Sequence, residues 1–67
     1  MKIIKIQYLP NSIVKLRKEE KKYLVEITPI NGPKVIQEFG KLLAARLKYE
    51  EIISRYFIKL NIQMINN

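Results

Sequence analysis

Enzymes working near neutral pH draw on a short roster of side chains, and most of that roster is missing here. Histidine, cysteine, aspartate and tryptophan do not occur among the 67 residues. What remains with chemical potential is six glutamates, Ser12, Ser54, Thr28 and four tyrosines. General acid–base catalysis needs a positioned group with a tuned pKa, and covalent catalysis needs a nucleophile beside a base. Ser12, Ser54 and Thr28 fall at turn or helix-surface positions with no candidate base near them in sequence. The glutamates lie in the charge run Lys18-Glu19-Glu20-Lys21-Lys22, among the residues expected to be helical or, for Glu26, in an expected strand. Gly32 and Gly40 are the two glycines, so there is no glycine-rich phosphate loop. Without Cys or His there is no zinc or iron ligand set and no disulfide. No catalytic residue, metal ligand or cofactor is assigned, and the chain is expected not to be an enzyme.

Charge points to partners instead. Ten lysines and three arginines face six glutamates, a net charge of +7. The excess is spread along the chain: residues 1–33 hold seven basic and three acidic side chains, and residues 34–67 hold six and three. Such a field attracts nucleic acid, acidic protein surfaces or anionic membranes through steering and counterion release. Lysines interrupt the N-terminal apolar residues Ile3, Ile4 and Ile6 too often for a signal-peptide core. Nothing approaches the roughly 20 apolar residues of a membrane span. The expected location is cytoplasmic, with no membrane partner.

The elements that must carry these charges are read from periodicity. Ile4, Ile6 and Tyr8 alternate with Lys5 and Gln7, which predicts a strand over residues 1–9 ended by Pro10-Asn11-Ser12. Residues 13–17 and 22–28 read as two more strands, forming a hairpin with a charged tip. A rival reading caps a helix at Ser12 and runs it from Ile13 to Ile27, giving β-α-α. The density of β-branched residues at both ends of that segment favours strands. Residues 29–33 read as a linker, with Pro33 suited to the first position of a helix. From Lys34 to Leu60 there is no proline, and Val35, Phe39, Leu42, Leu43, Tyr49, Ile53, Tyr56, Phe57 and Leu60 recur near the helical period. The expected fold is a single α+β domain. It has a three-stranded antiparallel sheet over 1–28, a linker over 29–33, one long helix over 34–60 and a tail over 61–67.

A 27-residue helix is about 40 Å long, whereas an eight-residue strand spans about 26 Å. The far end of the helix therefore outruns the sheet, and its apolar residues need another cover. The expectation is a homodimer with an interface at Ile53, Tyr56, Phe57 and Leu60. A kink near Lys48 that folds the helix back on itself is the alternative. Arg46 and Glu50 lie one turn apart and either pair within the helix or cross-pair between two chains. On the opposite face Lys34, Lys41, Lys48 and Arg55 recur every seven residues, with Lys59 one turn beyond. Such a row of cations can follow a phosphate backbone, and these five are the candidate nucleic-acid contacts. Such a row is also what an ordinary solvated helix face looks like. Basic–aromatic neighbours at Tyr23, Tyr49 and Tyr56 could stack bases, although the periodicity places Tyr23 and Tyr56 in the core. The leading expectation is a small dimeric DNA-binding or DNA-associated accessory protein. The other is a protein-interaction module whose helix docks on a larger partner.

Overall fold

The computed structural model describes the chain from Lys2 to Ile65, with side chains through Tyr56. Four strands precede one helix: β1 (Lys2–Leu9), β2 (Ser12–Glu19), β3 (Lys22–Pro29), β4 (Val35–Phe39) and α1 (Leu42–Ile65). The strands form one antiparallel sheet in the order β1-β2-β3-β4. The fold is therefore α+β, as the patterning implies, and the expected hairpin is β2–β3. The helix considered over residues 13–27 does not form, and the β-α-α alternative falls with it.

Each strand follows from local chemistry. Pro10 and Asn11 supply the turn between β1 and β2, since Pro sets φ for its first central position and Asn favours local bonding. Glu20 and Lys21 form the two-residue tip between β2 and β3, where Glu20 takes a φ of 57°. A positive φ at that position is usually supplied by glycine, so the tip holds a conformation that costs Glu20 about 1–2 kcal/mol. The loop after β3 is tied to the first turn by the Ile30 N–H, which donates to the Asn11 carbonyl at 3.0 Å.

The expected third strand is followed by a fourth, and this corrects the helix boundaries. Residues 35–39 are β4, and α1 begins at Leu42. Pro33 thus precedes a strand, not a helix. The physical reason lies in β3, whose outer edge would otherwise present unpaired backbone groups. Val35 and Ile36 are β-branched and suit that edge, and β4 pairs along it from Ile27↔Val35 to Tyr23↔Phe39. Gly40, the residue that costs most inside a helix after proline, separates the strand from the helix. At its other end α1 runs without interruption to Ile65, so neither the kink near Lys48 nor a stop at Asn61 occurs.

α1 covers one face of the sheet. Val14, Leu16 and Val25 from the strands pack with Ala45 and Tyr49 from the helix as the buried core. Ile4, Leu9, Tyr23, Ile27, Phe39, Ile52 and Ile53 pack around it. The strict alternation expected for β1 fails at one point. A bulge between Ile3 and Lys5 shifts the register, so Ile4 and Leu9 turn to the core while Ile3, Ile6 and Tyr8 share the opposite face. Across the shortest axis the molecule measures 15 Å, the depth of one sheet and one helix. Among the described residues, no helix lies on the second sheet face.

Candidate functional site

The two sides of the molecule differ in charge, and the register assigns each residue to its side. Positions directly opposite in an antiparallel ladder share a face. Lys2 and Lys18 pair with each other, and Lys5 pairs with Leu16, which places all three on the helix-covered side. With Lys41, Arg46, Lys48 and Arg55 on the helix and its lead-in, that side holds, among the residues with described side chains, seven basic residues against Glu50 and Glu51. The open face and the hairpin tip hold Lys15, Arg17, Lys21, Lys22 and Lys34 against Glu19, Glu20, Glu26 and Glu38. Nearly all of the net charge thus belongs to the helix side.

The row of five candidate contacts is rearranged. Lys34 is not on the helix: it lies in the approach to β4, and its ammonium sits 3.9 Å from Glu26 on the open face. Lys41 immediately precedes α1, whose first intrahelical bond runs from the Ala45 N–H to the Lys41 carbonyl at 3.2 Å. Lys48 and Arg55 remain on one side of the helix, but Glu51 lies between them, 4.0 Å from Lys48 and 2.7 Å from Arg55. Glu51 therefore balances part of this row. The seven-residue recurrence hid Glu51, which sits three residues after Lys48 and four before Arg55. Lys59 is on α1, and its side chain lies outside the described residues. On the other flank Arg46 and Glu50 form the within-helix pair at 3.9 Å, and Lys5 of β1 approaches the same carboxylate oxygen at 3.9 Å. Each helix glutamate thus serves two cations, and the surplus remains positive.

The residues expected at a dimer contact are partly engaged within the chain. Ile53 packs against the core cluster, and Tyr56 is half-buried. The side chains of Phe57 and Leu60 lie outside the described residues. Tyr49, 6% exposed, is core, and burial pushes its phenol pKa up from the ordinary 10.0. Tyr23 carries Lys18 above its ring at 5.7 Å and lies against the core, so it is not a free stacking surface. The exposed tyrosine is Tyr8, 67% accessible on the open face.

Sequence reading missed the cluster at the centre of the open face. Glu26 is 5% exposed, although it lies on the side without a helix. Its carboxylate accepts from Arg17 Nη2 at 3.3 Å, with the Lys15 and Lys34 ammoniums at 4.0 and 3.9 Å. Arg17 also donates through Nη1 to Glu19 at 2.7 Å. At the edge, Lys22 donates to Glu38 at 3.1 Å, and that bond raises the Lys22 pKa. Ile3, Lys15, Arg17, Glu26 and Lys34 line an open depression of about 270 Å³. The signal was present in the hairpin: counting outward from its tip puts Lys15 opposite Glu26 and Arg17 opposite Leu24. Beside this network lie Ile3, Ile6 and Tyr8, exposed by 50%, 39% and 67%.

Among the described residues no group of His, Cys, Asp or Glu is arranged to hold a metal ion, and no helix is long and apolar enough to cross a membrane. Comparison with protein-family models finds no match, nor does comparison with curated proteins or with solved structures. The functional reading rests on the chain's own geometry.

Proposed function

We propose that the protein is a small, non-enzymatic DNA-binding or DNA-associated accessory protein, acting as a homodimer. The observation that carries this reading is the asymmetry of charge among the described side chains: seven basic residues against two acidic ones on the helix side, and five against four elsewhere. A one-sided excess of cations on an elongated surface meets a phosphate backbone through counterion release, without needing sequence readout. Lys41 strengthens the reading. Three residues follow it without an acid, and Lys41 stands where a helix gains most from Ser, Asp or Asn and where a cation opposes the dipole. Stability would favour another residue there, whereas a polyanion partner favours lysine.

Binding to random-sequence duplex, measured across salt, tests the proposal. If about five cations contact phosphates, affinity should fall about 10²- to 10³-fold between 50 and 200 mM salt. No binding at about 50 mM would refute it.

The protein-interaction reading is favoured by Leu43 and Leu47, one turn apart on the outer face of α1 and exposed by 68% and 59%. It predicts capture of one stoichiometric protein partner that resists nuclease, with Leu43→Glu abolishing the capture.

A further inference from the structure

The open sheet face meets neither need of a finished surface: it is not covered, and it is not uniformly polar. Its two halves differ. Toward β1 it carries Ile3, Ile6 and Tyr8, with Ile13 beside Tyr8 in register. Toward β3 and β4 it carries Lys15, Arg17, Glu19, Lys22, Glu26, Lys34 and Glu38, whose signs nearly balance and which are linked by ion pairs. We infer that this face is the homodimer contact, closed by a second copy of the chain about a two-fold axis over the Ile3, Ile6 and Tyr8 corner.

Charge decides the occupant. A two-fold contact sets each patch against itself, so a patch of one sign meets its own sign. The helix side would bring seven described cations and two acids against the same set, and repulsion opposes it. On the open face the apolar corner meets itself without charge, while the internally paired half forms a rim of both signs. Apolar centre and polar rim are the anatomy of a specific protein contact. A polyanion, by contrast, is drawn to the other side of the molecule.

Area allows a weak contact. Three strands about 26 Å long and a fourth of about 17 Å, about 4.8 Å apart, present about 450 Å² per copy, or about 900 Å² for two, the size of a weak, reversible association. A chain of 67 residues without cysteine also lacks the disulfides that usually support domains of this size. The buried Glu26 has a place in this arrangement. An ion network costs desolvation and adds little stability over an apolar core, but it fixes the positions of Lys15, Arg17 and Lys34. A fixed rim of charges sets the register in which two identical faces meet.

The inference rests on the homodimeric part of the functional reading alone and locates its interface. Sedimentation of the whole chain over a range of concentrations should show the 8.0 kDa species giving way to one of twice that mass. Ile6→Lys with Tyr8→Lys alters two exposed side chains, so circular dichroism should report an intact fold while dimer affinity drops by about 100-fold or more. Phe57→Asp with Leu60→Asp, at the helical face first expected to dimerise, should leave the dimer in place. A monomer at every concentration overturns the inference, as does a dimer that survives the Ile6 and Tyr8 substitutions. Duplex binding is read separately: a chain that dimerises through this face yet ignores DNA refutes the nucleic-acid reading and leaves the interface standing.

Discussion

Glu26 shows what a single residue does in this sheet. Its carboxylate is almost wholly buried, and Arg17, Lys15 and Lys34 supply the compensating charge. Glu26→Leu removes the acceptor of the Arg17 Nη2 bond and the carboxylate that Lys15 and Lys34 approach, while the Arg17 bond to Glu19 remains. The cost should be about 2–4 kcal/mol, seen as a lower urea midpoint with unchanged slope. Arg17→Met combined with Glu26→Leu removes both charges and should recover most of that loss, because well-packed apolar groups replace a desolvated pair at little net cost. A double variant no better than the single one would show that the network stabilises the sheet in its own right. Tyr49 acts through its ring. Burial holds its phenol above the ordinary pKa, so the folded chain keeps a proton that the unfolded chain has lost. That contribution is full below about pH 10 and disappears as pH rises through the raised value. Lys22, raised from 10.5 by its bond to Glu38, moves in the same direction. Thermal midpoints should therefore decline above about pH 10, and Tyr49→Phe should flatten that decline while changing little at neutral pH. An identical alkaline limb in the variant would assign the decline to other groups.

Among the elements, α1 is the least self-sufficient. It begins without a capping side chain and with no acid in its first turn, so its exposed N–H groups and positive dipole end are unrelieved. Its position comes from burying Ala45 and Tyr49 against Val14, Leu16 and Val25, with a smaller contribution from the Lys5–Glu50–Arg46 bridge to β1. Those pairs are half-exposed and each contributes only about 0–1 kcal/mol. Lys41→Asp should improve the helix start by about 1 kcal/mol, raising the thermal midpoint by several degrees. The same change should weaken duplex binding and reduce its salt slope by about 1, if Lys41 meets a phosphate. Stability and binding would then move in opposite directions at one position. A variant more stable and equally bound would remove Lys41 from the contact surface.

At the scale of the whole molecule the two sides differ in charge and in apolar exposure. The helix side holds nearly all the net charge, and the opposite side holds exposed apolar residues beside balanced ions. Joined through their open faces, two copies would carry their helices outward and present two basic surfaces facing away from one another. Dimerisation would then leave both available to a polyanion, and each copy would contribute its own cations to the salt dependence. Surfaces that face apart cannot both lie on one stiff duplex, so the dimer should bridge two duplexes instead. The Ile6 and Tyr8 substitutions should therefore abolish bridging of separate duplexes while leaving binding to a single short duplex largely unchanged. Weakened binding to the single duplex would place those residues in the DNA contact itself.

The sequence alone determined the α+β class, the β2–β3 hairpin and the absence of histidine, cysteine and aspartate, because composition and two-residue alternation act locally. It also placed Ala45, Tyr49, Ile52 and Ile53 within one helical element, since 3.6-residue spacing survives wherever the helix starts. Tertiary structure decided the rest. Residues 35–39 carry a pattern compatible with either element, and only the unpaired edge of β3 makes the strand the better choice. The bulge after Ile3 cannot be read from alternation, because alternation assumes it away, and it transfers Ile3 to the open face with Ile6 and Tyr8. The cluster at Glu26 needs three separate segments in register, and the fourth strand brings Lys34 to it. Spacing along a chain records neighbours on one element; which side of the molecule a charge finally occupies depends on how the elements pair.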